Sequence, residues 1–146
     1  MIANVVLLLA SVAVGPNTST QPFISDPVIG TWECDGNPPP FKVIKNFNAG
    51  GTMMEIDNIS PLESPTIGSW QRTSPLHYFL VARQITYNPD GTFAGIFHYT
   101  QPLVMDAGGN SMHGTFEAAL VDPDGNSIPF GDGEVSCTRM PFAEHP

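Results

Sequence analysis

Six clusters of turn-forming residues cut the chain beyond residue 26 into pieces too short for long helices: "DGNPPP" at 35–40, "NAGG" at 48–51, "TSP" at 73–75, "NPDG" at 88–91, "DAGGN" at 106–110 and "DPDGN" at 122–126. Glycine supplies the positive φ that such turns need, and Asn, Asp and Pro supply their local hydrogen bonds and fixed φ. The intervening segments show no sustained 3.6-residue apolar period, so the chain reads as all-β. Eight strands are predicted, near residues 28–34, 41–47, 52–58, 66–72, 76–87, 92–104, 111–121 and 133–140. Short connections make sequential strands antiparallel neighbours. A chain of 146 residues supports one domain, placed at residues 26–146. An open meander would leave two strand edges exposed, so the expectation is a single eight-stranded antiparallel up-and-down β-barrel.

Closure requires the first and last strands to pair, and opposed residues of an antiparallel pair have a constant sum of residue numbers. "GTWEC" at 30–34 and "CTRM" at 137–140 meet this condition in one register, because Trp32 with Arg139 and Cys34 with Cys137 both sum to 171. Alternation by two puts all four side chains on one face. The predicted seam is a guanidinium stacked on the indole beside a disulfide. That bridge would close a loop of about a hundred residues, nominally worth 4–5 kcal/mol. For these four residues a sealing role at one barrel end is expected.

Gly30-Thr31-Trp32 on the first strand, with Arg139 on the last, resembles the G-x-W and overlying basic residue of lipocalin and calycin-type barrels. The resemblance implies an eight-stranded barrel with an internal cavity for a small apolar molecule.

The turn at 88–91 offers a four-residue loop that sets Tyr87 opposite Thr92, a sum of 179. Tyr78 then faces Gln101, Leu80 faces Tyr99, Ala82 faces Phe97 and Gln84 faces Gly95. A three-residue link at 73–75 sets Trp70 opposite Tyr78 and marks this face as internal. The candidate ligand-binding residues are therefore Trp70, Tyr78, Leu80, Gln84, Phe97, Tyr99 and Gln101. Phe93 lies on the same face, and Gly68 and Gly95 leave space beside it. Apolar walls with a few convergent polar groups suit a small-molecule pocket. A three-residue loop with a glycine bulge would give 180 instead and exchange the faces of residues 92–104. An eight-stranded barrel is also just wide enough to be filled by its own side chains. The opposite face groups Phe79, Val81, Ile85 and Ile96, which is expected to make a homo-oligomer contact.

A net charge of −9, with five Lys and Arg in all, disfavours nucleic acid and anionic membranes as partners. Residues 1–25 contain no charged side chain and carry the apolar run Val5 to Leu9, the length of a signal-peptide core. They read as a signal peptide or an apolar arm, with a secreted or periplasmic mature protein. No cofactor fingerprint occurs, and none is expected. No metal site is expected either: His77 and His98 sum to 175, which places them about 13 Å apart along the sheet. His113 and Glu117 are separated by a similar ~13 Å on a strand.

Three functions remain open. The leading one is an exported lipocalin-like barrel that binds a small apolar or aromatic molecule. The second is a cofactor-free isomerase or cyclase acting inside the barrel, with Tyr78, Tyr99 and Glu117 as candidate acid–base groups. For Glu117 the alternating Met112, Phe116 and Leu120 have the stronger claim on the interior. The third is an extracellular interaction protein with a filled core.

Overall fold

Turn chemistry sets the strand boundaries. The computed structural model, which describes residues 26–37, 40–59 and 62–141, contains β1 (Gly30–Asn37), β2 (Phe41–Asn48), β3 (Thr52–Asp57), β4 (Thr66–Ser74), β5 (His77–Tyr87), β6 (Phe93–Met105), β7 (Ser111–Val121) and β8 (Ser127–Arg139). They form a closed barrel in chain order, each strand antiparallel to its neighbours. Among the described residues there is no helix. The leader or arm read at residues 1–25 lies outside the described residues.

The closing seam has the predicted register. Trp32 lies opposite Arg139 and Cys34 opposite Cys137, and the two cysteines are disulfide-bonded. The Arg139 guanidinium sits 4.2 Å from the Trp32 ring centroid. The glycine of "GTW" is required there: Gly30 has a φ of +130°, and a Cβ on it would lie 2.9 Å from Arg139 Nη1.

The β5–β6 register differs from the expected sum of 179. Leu80 pairs with Gln101, Ala82 with Tyr99 and Gln84 with Phe97, a sum of 181, while Tyr78 pairs with Leu103. Two one-residue shifts account for it. The connection runs through Thr92, whose carbonyl accepts from Asn88 N at 2.8 Å, so it is one residue longer than a four-residue loop. A bulge then falls between Thr86 and Tyr87, with Gly95 at a φ of +152° and no room for a Cβ beside Val121 O. The shifts cancel in parity, so residues 95–105 keep their predicted faces. Phe93, on the far side of the bulge, is turned out and is 46% exposed. The same kind of shift occurs between β4 and β5, where Trp70 pairs with Leu80 instead of Tyr78, with a bulge between Arg72 and Ser74.

β8 starts six residues before its predicted limit of 133. Its first part, residues 127–133, pairs with β7 while the β1 ladder stops at Asn37 and Glu134. Pro129 fits because a strand flanked on one side alone has no second ladder to lose.

The core occupies the end of the barrel where residues 26–29 cross beneath it. Val28 plugs that end, fully buried. Trp32 Nε1 donates to Val28 O at 2.9 Å. Arg139 donates to Gly109 O at 2.8 Å, to Ile29 O at 3.0 Å and to Pro27 O, which fastens the plug and the β6–β7 turn to the last strand. Phe47, Met53, Leu103, Met105 and Met112 fill the space above. On the outer surface Val81 and Ile85 are exposed and Phe79 and Ile96 half-buried. A further exposed apolar row runs across β2 to β4, where Ile44 lies opposite Ile56 and Met54 opposite Ile67.

Candidate functional site

The other end of the barrel is not filled. A cavity of about 190 Å³ opens there, lined from β2, β3, β5, β6, β7 and β8. An apolar cavity of roughly 150 Å³ is enough to take up benzene, so this one admits a single ring with a short substituent. Aromatic residues form its upper wall. Phe41 meets Phe116 edge-on at 5.8 Å between ring centroids, and Phe97 meets Phe130 edge-on at 5.1 Å. Phe130 is 64% exposed at the rim, carried there by the unexpected early part of β8.

Deeper in, the wall is polar. Lys45 on β2 lies directly opposite Glu55 on β3, and the Lys45 ammonium is bonded to Glu55 Oε2 with both side chains almost fully buried. The ammonium also donates to the Tyr99 hydroxyl at 3.2 Å. Burial, followed by the neighbouring Glu55 carboxylate, holds the Tyr99 phenol well above its ordinary pKa, so it stays protonated. Gln101, two residues further along β6, lines the same wall and is 3% exposed. Its Oε1 is buried without a hydrogen-bond partner among the described residues. A buried acceptor left in this state costs about 1–3 kcal/mol unless something supplies a donor.

Acidic groups complete the lining. Asp57 faces the cavity, and Asp132 lies at its rim on the outward face that it shares with Glu117. Gln84 braces the mouth by donating to Ser64 O at 2.9 Å and reaching Glu63 and Asp57 at 3.4 and 3.5 Å. Glu63 pairs with Thr86 in an isolated bridge. Burial, and next the charge of Asp57, raise the pKa of Glu63.

Of the seven predicted ligand-binding residues, Gln84, Phe97, Tyr99 and Gln101 come together in this cavity. Trp70, Tyr78 and Leu80 do not line it and belong to the closed end. Trp70 Nε1 donates to Asn48 O and Thr52 O at 3.1 and 3.0 Å, and its ring packs against Phe47 and Tyr78. Tyr78 is buried with its hydroxyl donating to Asp26 at 2.8 Å. Leu80 is core. The relief expected from Gly68 and Gly95 is also absent, because a Cβ on either would strike backbone, Val81 O at 2.4 Å and Val121 O at 2.5 Å.

Glu117, read as a candidate acid–base group, points outward and is exposed, in register with Thr100 and Asp132. Its alternation partners Met112 and Phe116 hold the interior positions. His77 and His98 lie six residues out of register under the observed sum of 181, further apart than the four expected. His113 is exposed opposite Ser136. The carboxylate of Asp122 in "DPDGN" accepts from Asp124 N at 3.0 Å and Asn126 N at 2.8 Å, an ordinary Asx-braced turn.

The residues not anticipated are Lys45, Glu55, Asp57, Asp132, Phe41 and Phe130. For the first three a signal existed. Phe41, Val43 and Phe47 set an inward period of two in which Lys45 is in phase, and Met53 does the same for Glu55 and Asp57. The "NAGG" turn then aligns Lys45 with Glu55.

Comparison with protein-family models, with curated proteins and with solved structures gave no match.

Proposed function

We propose that the protein is an exported, lipocalin-like binding protein that takes one small apolar or aromatic molecule into the open end of its barrel. The observation that carries this reading is the cavity itself: about 190 Å³, with four phenylalanines on its wall and a buried polar group beneath them. The disulfide supports an oxidising location such as the periplasm or extracellular space, and the apolar run Val5 to Leu9 supports an export signal.

Neither tryptophan lines the cavity, so calorimetry and native mass spectrometry are the appropriate probes. Toluene, ethylbenzene and indole should bind with one-to-one stoichiometry, and Val135→Phe, which fills the cavity from β8, should abolish that binding. If none of the single-ring compounds binds the folded protein at millimolar concentration, the reading fails.

A second reading is favoured by one feature, the Glu55–Lys45–Tyr99 chain at the cavity wall. A carboxylate, an ammonium and a protonated phenol within hydrogen-bond reach are groups fit for moving a proton on a bound substrate. In that reading the barrel is a cofactor-free isomerase or cyclase, with Tyr99 as proton donor and Glu55 as acceptor. Tyr78 and Glu117 take no part. Turnover of a bound ligand that disappears in Tyr99→Phe while ligand binding persists would separate an enzyme from a carrier.

A further inference from the structure

The lining of the cavity is electrically unbalanced. Among the described residues whose side chains face it, one cation, Lys45, meets two carboxylates, Glu55 and Asp57, which leaves a formal charge of −1. Lys45 and Glu55 cancel each other in their buried pair, so the surplus belongs to Asp57. The pKa of Glu63 is raised in part by Asp57, as expected where carboxylates crowd without a cation between them.

A second feature of the same wall is independent of charge. Gln101 presents a buried acceptor that no donor among the described residues satisfies. Native chains seldom leave such a group unmade, and an unmade one calls for an explanation. A ligand that brings a donor supplies it. The four phenylalanines add ring faces, the negative side of the aromatic quadrupole, which attract a cation. The whole chain, at −9, draws cations toward the mouth and repels anions from it.

We infer that the ligand is a primary arylalkylamine: one aromatic ring seated among Phe41, Phe97, Phe116 and Phe130, on a short chain whose ammonium donates to Gln101 Oε1 and lies beside the Asp57 carboxylate. This rests on the cavity being a binding site, as proposed above. An ammonium has three donors and no acceptor, which matches a wall with a free acceptor and surplus carboxylate. A carboxylate ligand would place a third anion beside two. A neutral alcohol would satisfy Gln101 but leave the charge unanswered.

The test uses four probes of similar size: phenethylamine, 2-phenylethanol, 3-phenylpropionate and ethylbenzene, each titrated calorimetrically into the oxidised protein at neutral pH. Phenethylamine should bind about tenfold or more tighter than 2-phenylethanol, since charge-assisted hydrogen bonds are roughly twice as strong as neutral ones. Binding of 3-phenylpropionate should be undetectable. Asp57→Asn should erase most of the advantage of the amine while leaving the alcohol unchanged. Gln101→Leu should weaken amine and alcohol together and leave ethylbenzene unchanged. If a variant does not fold, the order of the four probes on the unmodified protein decides alone. If ethylbenzene and 2-phenylethanol bind and phenethylamine binds no better, the amine inference is overturned and the cavity reading stands. If none of the four binds, both fall.

Discussion

At the closed end of the barrel Trp32, Tyr78 and Arg139 each find partners for their polar atoms within the chain, whereas at the open end Gln101 keeps an acceptor unpartnered among the described residues and two inward carboxylates, Glu55 and Asp57, share one lysine. Both ends contain aromatic residues and buried polar groups, so composition does not distinguish them. What differs is whether the partners of the polar groups are supplied from inside. A sealed end with its hydrogen bonds made contributes stability. An end with orphaned groups around a void is arranged for something the chain does not itself provide, and such sites commonly sacrifice stability for function.

The contrast can be broken most forcefully at the Lys45–Glu55 pair, a charged pair buried in the open half. Lys45→Met should lower the stability to urea by about 3–5 kcal/mol, because it strands a buried carboxylate. Replacing both partners, as Lys45→Met with Glu55→Leu, should restore most of that loss. If the double variant is as unstable as the single one, the pair has a structural role that the comparison does not allow for.

At the sealed end, removing the disulfide by Cys34→Ala with Cys137→Ala should cost about 2–4 kcal/mol, with ligand affinity at the opposite end unchanged. A parallel fall in affinity would show that the two ends are not independent.

Tyr78 gives a smaller effect with a pH signature. Burial, and then its bond to the Asp26 carboxylate, raise its pKa from 10.0 to about 12, with nearby Arg72 acting in the opposite direction. A folded-state pKa above the unfolded one means that the contribution is complete below pH 10 and is lost as pH rises toward 12. Tyr78→Phe should therefore cost about 1.5–3 kcal/mol at neutral pH, the range for a hydrogen bond to a charged group. The difference from wild type should shrink in urea titrations at progressively alkaline pH. A difference that stays constant to pH 12 would mean that the phenol–carboxylate bond is not its source.

The smallest change in stability is expected for Phe130→Ala. An exposed rim residue should alter stability by no more than about 0.5 kcal/mol, yet single-ring ligands should dissociate several-fold faster, as seen by stopped-flow displacement. A large loss of stability would make Phe130 part of the core.

The closed end was legible in the sequence because its determinants are few and rigid. Two cysteines, a tryptophan and an arginine satisfied one register, and the turn residues located the strands. The open end was harder to read for two reasons. Strand parity survives a shift of two, so Gln84, Phe97, Tyr99 and Gln101 were placed inward correctly even though their partners across β5 and β6 were misassigned. Depth along the barrel does not survive such a shift, and Trp70, Tyr78 and Leu80 were consequently grouped with residues of the other end. Lys45 and Glu55 read as surface residues by type, because long charged side chains are seldom buried, although each stands in phase with its inward apolar neighbours. Phe130 follows a proline that weighs against a strand, and Gly131 and Gly133 favour a turn reading. Pairing with β7 overrides both preferences.

Cys34 and Cys137 are separated by 103 positions, and the strands that carry them are the first and the last. The other pairings of the barrel join consecutive strands, and each closes a short loop. The seam closes the longest, so loop-closure entropy opposes it more than any other pairing. With two cysteines in the chain, a single intramolecular bridge is possible, and its sulfurs meet when Trp32 and Arg139 are also in register. Oxidation thus works as a latch that sets after the door has shut. A reagent that labels free thiols in freshly oxidised material will count the molecules whose barrels never closed.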